Sequence, residues 1–512
     1  MFRNQSSLCR HSNRFINRSF TALESLNRPS ESDREALLKL LNNRPNSVLI
    51  GDGEGDDLSR YNNDWTNQYQ GNSRLVVRPQ STSEVSRILK YCNSRMIGVV
   101  PQGGNTGLTG GSVPLECEVV LSLENLRDIH SLDPTTGILT CDTGCILQNL
   151  LDFAAARDHL VPVDLGAKGT CQIGGNISTN AGGSFYFRYG SLHANIVGLE
   201  VVLANGDILN MGCTPANLKD NTGYDMKHLF IGAEGTLGVV TRAALLCPRL
   251  PSSRCTTLLA CDSFDDVLNV LEVAKKSMGE ILAAFEFIDG PTMNLVCQSR
   301  SKPLPFPSFQ DCPYYLLVES HGSCEEHDQA KMDKFLNTLF DEDYVVDGII
   351  ASSLKQMNEM WYLREACNPS CVSRGYVYKY DLSLPIPEFP RFIEQLKEAL
   401  SDSSLCSLDF FNWGHVIDGN LHCNIVCRDN FELNSSLKER IEHYVFEGVK
   451  GRGGSMSAEH GLGQQKRKYM PKLHRPETLS KMHDIKYIFD PNGILNPGKY
   501  LPQDYRCFER VP

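Results

Sequence analysis

The sequence lacks a hydrophobic run long enough to cross a membrane, since no stretch of its 512 residues approaches about 18 uninterrupted apolar residues. It also lacks an excess of positive charge. The formal net charge of −11 at pH 7 argues against nucleic-acid binding, which needs a basic surface. We therefore expect neither an integral membrane protein nor a nucleic-acid-binding protein.

The 19 cysteines include no C-x-x-C pair. Spacings such as Cys141/Cys145 and Cys423/Cys427 match neither a zinc ribbon nor a thioredoxin motif. An odd number of cysteines without a paired pattern is typical of free, mostly buried thiols in a reducing compartment.

The first 28 residues contain no lysine and no apolar run of the kind that a secretory signal needs. They contain several serines, one acid (Glu24), and five arginines: Arg3, Arg10, Arg14, Arg18 and Arg28. This composition predicts a targeting leader that is removed after import into an organelle, with an ordinary disordered N-terminus as the alternative. Together with the free thiols, the leader indicates the mitochondrial matrix.

Two kinds of sequence pattern divide the rest of the chain. Up to about residue 248, short strands surround glycine-rich turns, and Ser81 begins a predicted capped helix. Beyond the prolines at 248–251, helical and strand patterns alternate to about residue 455, which predicts a second, α+β domain. The proline-rich segment 298–312 is expected to be a surface loop.

The glycine loop "PQGGNTGLTGGS" raises the question of phosphate binding. It follows a strand but leads into a turn and another strand, so no helix N-terminus is present to complete a Rossmann fingerprint. A second stretch, "GILNPGK", resembles a Walker A loop but is followed by Tyr500 instead of Ser or Thr. What remains is a loop of successive backbone N–H groups that can wrap an anion.

One glycine cluster alone is explained more simply as a tight turn. The chain has two further clusters, Gly174/Gly175/Gly182/Gly183 and Gly232/Gly235/Gly238. Several such loops together favour the binding of a large dinucleotide, because glycines let the backbone approach a ligand closely.

Six motifs then carry a resemblance to a known family: "PQGGNTGLTGGSVP", "DLGAKGTCQIGGNISTNAGG", "DNTGYDMKHLFIGAEGTLG", "GHVIDGNLHCNI", "SAEHGLG" and "DPNGILNPGK". In this order they closely resemble the FAD-binding oxidoreductase/transferase type 4 flavoproteins, whose FAD domain is shared with vanillyl-alcohol oxidase. The resemblance runs from about residue 64 to about residue 502. It implies an α+β fold with a two-lobed FAD-binding domain (64–250), a substrate- and metal-binding domain (251–455) and a C-terminal segment (456–512) that returns to the flavin.

Some relatives bond FAD covalently through a histidine in the first loop. Asn105 lies in that loop with no histidine near it, so the resemblance implies non-covalent FAD. The residues expected to contact FAD are Pro101, Gly103, Gly104, Asn105, Thr106, Gly107, Gly110, Gly111, Ser112, Gly166, Thr170, Gly174, Gly175, Asn176, Thr179, Asn180, Gly182, Gly183, Glu234, Gly235, Val240 and Asn496.

Two histidines flank a glycine turn in "GHVIDGNLHCN". If Asp418 and Gly419 are the two loop residues of a hairpin, His415 lies directly opposite His422 on one sheet face, and Asn424 lies two residues further along it. Such a pair forms two corners of a metal site, with a pair of surface histidines as the alternative.

The resemblance places a metal on His415, His422 and Glu459. A set of two histidines and a glutamate leaves the open position that catalytic Zn²⁺ requires, and Mn²⁺ or Co²⁺ would suit similar ligands. The resemblance also makes His460 the general base, with a structural histidine as the alternative.

Substrate binding is expected at Arg364, Asn368, Lys379, Asn424 and His460. In "EMWYLREACNPS", a predicted helix ended by Pro369, Arg364 can bind a carboxylate bidentately. Lys379 lies in a predicted strand and faces opposite to its tyrosine neighbours. Its side chain is either directed into a pocket or is a charge at the edge of the sheet. The family has an arginine and a lysine at these positions for substrate carboxylates, but a threonine where this chain has Asn368.

The resemblance implies an FAD- and metal-dependent dehydrogenase that oxidises D-2-hydroxyglutarate to 2-oxoglutarate and passes electrons to an electron-transfer flavoprotein, with a homodimer as a possible assembly. A D-lactate or glycolate dehydrogenase is the alternative within the family. A catalytically silent scaffold would lack a metal ligand or the base, and all four residues are present. The basic run at 466–468 is expected to be a solvated helix face, with docking of an acidic redox partner as the alternative.

Overall fold

The computed structural model describes residues 25–51, 56–300, 312–401, 407–428 and 435–503. Most of the predicted leader and most of the predicted loop at 298–312 lie outside these residues. Residues 298–300 end a helix, so that part of the loop prediction is wrong. The cysteines within the described residues are free, and most are buried, as predicted.

The first lobe is a four-stranded sheet in the order β1-β2-β4-β3, with β2, β4 and β3 parallel. The predicted cap is present, because the Ser81 side chain accepts a hydrogen bond from the Glu84 N–H. Its elements are α1 (Glu31–Leu40), β1 (Val48–Ile50), α2 (Ser59–Asn62), β2 (Leu75–Val77), α3 (Thr82–Ser94), β3 (Val99–Gln102) and β4 (Val119–Ser122).

The second lobe is a five-stranded antiparallel sheet in the order β5-β6-β9-β7-β8. Its elements are β5 (Ile129–Leu132), β6 (Ile138–Asp142), α4 (Leu147–Ala155), α5 (Ile173–Thr179), α6 (Tyr186–Tyr189), α7 (Leu192–Asn195), β7 (Ile196–Val202), β8 (Ile208–Met211), α8 (Lys227–Phe230) and β9 (Val239–Leu246).

The third sheet is antiparallel and has seven strands in the order β13-β10-β12-β11-β15-β16-β14. Large apolar clusters cover both of its faces, which explains the near-continuous burial of its central strands. Its elements are β10 (Ser253–Cys261), α9 (Phe264–Met278), β11 (Leu282–Asp289), α10 (Gly290–Arg300), β12 (Tyr314–Gly322), α11 (Glu325–Asp341), β13 (Asp347–Ile350), α12 (Leu354–Glu365), α13 (Cys367–Arg374), β14 (Tyr376–Ser383), α14 (Phe389–Leu400), β15 (Leu408–His415), β16 (Asn420–Cys427) and α15 (Ser435–Gly451).

The C-terminal segment forms α16 (Met470–Leu473) and α17 (Pro476–Phe489) and then returns to the first lobe, where Leu495 bridges Val99. The fold is therefore α+β, with two lobes, a large antiparallel sheet domain and a returning tail, as predicted. The exact domain boundaries stay a prediction. No helix among the described residues is both long and apolar enough to span a bilayer.

The basic run at 466–468 is not a solvated helix face, and this prediction is wrong. Lys466 is only 1% exposed, and its Nζ donates to the Ser457 Oγ at 3.0 Å. Arg467 donates to the Gly498 carbonyl, and Lys468 pairs with Glu442. Lys466 is turned inward, where carboxylates of the interior balance its charge, whereas Lys468 stays more than half exposed.

Candidate active site

One face of the seven-stranded sheet gathers polar side chains from four adjacent strands. Glu286 on β11 pairs with His415 on β15, and His422 on β16 pairs with Asp381 on β14. Because side chains alternate across a strand, residues in register share a face of the sheet. All four side chains are buried.

The hairpin brings its histidines together, but not in the predicted register. His422 pairs with Trp413 instead of His415, and the turn contains a short 3-10 helix, Val416–Asp418. This wider turn requires glycine at position 414, because a Cβ on Gly414 would stand 2.2 Å from the Asn420 carbonyl oxygen. His415 is two residues from Trp413 and therefore points to the same face of the sheet. As a result, the ring centroids of His415 and His422 lie 5.3 Å apart.

Glu459 lies where the imidazoles converge. Its Oε1 is 3.8 Å from the Nε2 atoms of both His415 and His422, and 3.7 Å from the Nε2 of His460. Ligand atoms around a tetrahedral Zn²⁺ are separated by about 3.4 Å, given metal–ligand bonds of about 2.0–2.1 Å. The distances from Glu459 Oε1 to the Nε2 atoms exceed this separation by a few tenths of an ångström, so the structure brings the three predicted ligands close to one another.

Glu459 also connects this sheet to the second lobe, because its Oε2 accepts a hydrogen bond from the Gly183 N–H at 2.9 Å. Gly183 belongs to the second predicted FAD loop. The His460 ring stacks over His422 at 5.8 Å between centroids, and about a third of its side chain is exposed. The predicted base thus lies at the open side of the cluster.

Asp381 is a functional residue that the sequence analysis missed. One carboxylate oxygen accepts three successive backbone N–H groups, from Ala458, Glu459 and His460, at 2.8–3.1 Å. The other accepts the Asn420 amide at 2.7 Å. Burial opposes ionisation, but the nearby cations and these donors hold the Asp381 pKa well below its usual range.

Asp381, His422, Glu459 and His460 form a group with donor atoms close enough to hold a metal ion. However, the four hydrogen bonds already satisfy the Asp381 carboxylate. We therefore assign it to fixing the Glu459–His460 backbone, and His415 as a metal ligand stays a prediction.

Glu286 is a second residue that was missed. It is fully buried, and its Oε1 lies 2.5 Å from the Nδ1 of His415. Its other oxygen accepts from the Nε of Arg364 at 2.7 Å. A carboxylate on one imidazole nitrogen turns the other nitrogen toward a metal. The signal in the sequence was an acid inside the otherwise apolar stretch "LAAFEFI".

Burial and charge place the two histidines in different protonation states. Burial lowers the pKa of His415, but the Glu286 carboxylate overcomes this and raises that pKa to about 10. Burial and the Arg364 cation lower the pKa of His422 to about 3. A cation that binds both rings would therefore displace a proton from His415.

Replacing Glu286 with glutamine is expected to weaken metal binding by about 10- to 100-fold, because the amide no longer holds His415 by a charge-assisted hydrogen bond. Metal titration of the purified variant, followed by metal analysis after dialysis, measures this. Glu319→Gln, which replaces another fully buried glutamate on the same sheet, is the matched control. Unchanged metal affinity in Glu286→Gln would contradict the assigned role.

The predicted substrate residues lie around the same face. Lys379 pairs with Asn424 across β14 and β16. The Lys379 Nζ and the Asn368 Oδ1 are buried, and neither has a hydrogen-bond partner among the described residues. Pro369 lies in the first turn of α13 and does not end a helix there, so that expectation is wrong: proline is tolerated where N–H groups have no intrahelical partner.

The glycine loops fit a large cofactor. The first and second loops contact each other so closely that a Cβ on Gly104 would stand 2.2 Å from the Thr170 carbonyl oxygen. Beside Gly107, Gly166 and Gly175, by contrast, a Cβ would meet no atom of the described residues within 4 Å. Two buried acceptors beside this space, the Gln172 Oε1 and the Asn180 Oδ1, have no partner among the described residues.

Several predicted FAD residues use their side chains to hold the loops. Asn105 donates to two backbone carbonyls and accepts from the Ser112 hydroxyl at 2.8 Å. Glu234 accepts the backbone N–H groups of residues 462 and 463, and Asn496 donates to the Gly111 and Glu234 carbonyls. Any contact of Asn105 or Glu234 with FAD would therefore come largely from backbone atoms.

The remaining predicted FAD residues lie on the same loops or next to them. Pro101 is in β3, Val240 is in β9, and α5 contains Gly174, Gly175, Asn176 and Thr179. Gly235 follows Glu234, and Gly182 follows α5. Each stays a prediction as an FAD contact.

Two family models match the chain: "FAD binding domain" over residues 73–212 and "FAD linked oxidases, C-terminal domain" over 250–500. A probable mitochondrial D-2-hydroxyglutarate dehydrogenase of Oryza sativa subsp. japonica is 44% identical, covering 89% of this chain and 80% of its own. The corresponding protein of Danio rerio is also 44% identical, over 88% and 82%. The chain belongs to the D-2-hydroxyglutarate dehydrogenase family of FAD-linked oxidoreductases.

Membership of this family confirms the expectation of an FAD-dependent hydroxyacid dehydrogenase. A putative mitochondrial D-lactate dehydrogenase of Schizosaccharomyces pombe is 41% identical, over 87% of this chain and 85% of its own. Among solved structures, p-cresol methylhydroxylase with substrate bound superposes with a TM-score of 0.71 at 16% identity, over 91% of this chain and 95% of its own. That likeness confirms the predicted fold.

Proposed function

We propose that this dehydrogenase oxidises D-2-hydroxyglutarate to 2-oxoglutarate with FAD and a divalent metal ion. The observation that carries the proposal is the convergence of His415, His422 and Glu459 beside His460. On the same sheet face, Lys379 supplies a buried ammonium without a hydrogen-bond partner among the described residues.

FAD held by the glycine loops would supply the acceptor for the hydride, that is, the hydrogen of the substrate carbon with its electron pair. A divalent ion on the triad, when bound, acts as a Lewis acid that makes a substrate hydroxyl more acidic. The His460 imidazole takes the hydroxyl proton. The Asp381 carboxylate holds the His460 backbone in place by accepting a hydrogen bond from the His460 N–H. Asn424, Arg364 and Lys379 orient the substrate, so that its reacting bond is held in one position.

Two cationic side chains at the site, Arg364 and Lys379, favour a substrate with two carboxylates. Glu286 already pairs with Arg364, whereas Lys379 makes a ring contact with Trp65 and no hydrogen bond among the described residues. A buried ammonium without a hydrogen-bonded counter-charge is costly, and a substrate carboxylate would satisfy it.

Anaerobic bleaching of the flavin with a panel of D- and L-2-hydroxy acids tests the proposal. D-2-hydroxyglutarate is expected to bleach the flavin faster than D-lactate, and the L-enantiomers are expected to fail. If no acid bleaches the flavin, the enzymatic proposal is wrong.

A D-lactate or glycolate dehydrogenase is the second candidate. Asn368 stands where the family has a threonine, and its amide oxygen is unsatisfied among the described residues. Bleaching by D-lactate but not by D-2-hydroxyglutarate would favour this second candidate.

We also propose that the enzyme works in the mitochondrial matrix and reduces an electron-transfer flavoprotein. The arginine-rich leader and the "mitochondrial" in the names of its relatives support the location. The acceptor and a homodimeric state come from the family resemblance. Steady-state rates with purified electron-transfer flavoprotein, compared with an artificial dye, test the acceptor, and light scattering tests the assembly.

The pH dependence of substrate capture should report on Lys379. Burial lowers the pKa of Lys379 to about 8. Because the protonated form binds the carboxylate, kcat/KM for D-2-hydroxyglutarate is expected to fall by about tenfold per pH unit well above pH 8. A Lys379→Arg variant stays charged and should lose this limb of the profile. An identical alkaline limb in both enzymes would contradict the role of Lys379.

A further inference from the structure

A tryptophan from the N-terminal part of the chain lies against the ammonium of Lys379. The Trp65 ring centroid is 4.8 Å from the Lys379 Nζ, within the range of a cation–π contact. Trp65 is 51% exposed, whereas Trp413 is only 4% exposed. One part of the indole therefore covers the lysine while the rest remains open to solvent.

The position of Trp65 is fixed by the short loop that carries it. The Asp64 carboxylate is 2% exposed and accepts the Tyr69 and Thr66 N–H groups at 2.8 and 3.2 Å. The backbone closes the same loop through the Asn67 N–H and the Asp64 carbonyl. Gln68 then donates to the Val377 carbonyl, two residues before Lys379. The indole is thus held on β14 by contacts on both sides.

The same segment also contacts the first FAD loop. Asn105 donates to the Arg60 and Asn63 carbonyls at 3.0 and 2.7 Å. Trp65 therefore lies on a segment that contacts both the FAD loop and the strand of Lys379. The indole therefore forms an aromatic wall beside the Lys379 ammonium, at the Lys379 side of the site.

We propose that Trp65 is a specificity-determining residue that forms the outer wall of the subsite for the far carboxylate. The Trp65 ring shields the Lys379 ammonium from water and holds it by a cation–π contact. A carboxylate that reaches Lys379 is therefore bound in a partly desolvated environment, where the ionic attraction is stronger. A short hydroxy acid, which ends in a methyl group, does not reach this wall. The inference rests on the proposed function, because it requires that Lys379 receives a substrate carboxylate.

Trp65→Leu is expected to lower kcat/KM for D-2-hydroxyglutarate by about 5- to 30-fold, mainly through a higher KM, from the loss of the cation–π contact and the drier environment. For D-lactate, kcat/KM should change by less than about twofold, because that substrate does not use the subsite. Trp65→Phe keeps a ring and should recover most of the loss. Tyr224→Leu replaces an aromatic side chain that is 95% exposed and is the matched control.

A second readout does not depend on turnover. Because Trp413 lies beside His422, both 2-oxoglutarate and pyruvate can change the tryptophan fluorescence of the oxidised holoenzyme. The additional change that 2-oxoglutarate causes beyond pyruvate in the wild type should be absent in Trp65→Phe. Equal losses with both hydroxy acids in Trp65→Leu, or an additional change that persists in Trp65→Phe, would overturn the inference. If the wild type itself fails to oxidise D-2-hydroxyglutarate, it is the proposed function that fails.

Discussion

Replacing His460 with glutamine is expected to slow flavin reduction by about 10²- to 10⁴-fold, the usual contribution of a general base. Glutamine keeps the backbone N–H that donates to Asp381, so the Glu459–His460 segment should keep its conformation. It has no nitrogen that can accept the hydroxyl proton. FAD content and metal content should therefore stay at the wild-type level, and only the proton-transfer step should slow.

Stopped-flow absorbance at the flavin band, with D-2-hydroxyglutarate under anaerobic conditions, measures this rate. His327→Gln, which changes an exposed histidine on α11, is the matched control and should behave as the wild type. Flavin reduction within a factor of about three of the wild type in His460→Gln would remove His460 from the role of base.

Replacing His422 with alanine should produce a larger and different loss, because it removes a proposed metal ligand. Burial and the Arg364 cation keep the His422 pKa at about 3, so the imidazole is neutral and able to bind a cation at physiological pH. Without it, His415 and Glu459 remain as a two-residue site. We expect the variant to lose its metal on dialysis and its substrate-dependent flavin reduction, while the FAD absorbance is retained.

Elemental analysis of the dialysed variant, together with its flavin spectrum, separates these effects. His443→Ala, on α15, removes a histidine that is not part of the cluster and should keep both metal and activity. A His422→Ala variant that retains one ion per chain would show that the metal is held elsewhere.

The sequence was sufficient for much of the fold, because local signals decide it. The cap at Ser81, the strand before the first glycine loop and the alternation around Lys379 each depend on neighbours along the chain, and each agrees with the structure. The order of the six motifs was sufficient for the family and for the residues that converge at the site.

The contacts that organise the site could not be predicted in the same way. Glu286 and His415 are 129 residues apart in the chain, and their pairing depends on the order of strands in the seven-stranded sheet. Asp381 acts on backbone N–H groups 77 to 79 residues further on, which leaves no pattern of side-chain types to recognise. The hairpin register failed because a two-residue turn was assumed where Gly414 permits a wider one.

The error at Lys466 has a similar physical origin. A run of three basic residues is usually solvated, but Lys466 lies inside, where the carboxylates of Asp381, Glu234 and Glu459 favour its charged form. Asp381 and Glu234 come from distant parts of the chain. The cost of burying one charge is offset by the charges around it.

If the cluster of His415, His422 and Glu459 holds a metal ion that substrate oxidation requires, removal of that ion must stop flavin reduction. The most direct measurement is anaerobic flavin reduction by D-2-hydroxyglutarate in holoenzyme treated with a chelator and then reloaded with Zn²⁺, Mn²⁺ or Co²⁺. The chelated enzyme is expected to keep its FAD but not to be reduced, and at least one of the ions is expected to restore reduction. Full-rate reduction of enzyme that elemental analysis shows to be free of metal would mean that the cluster holds no ion needed for oxidation.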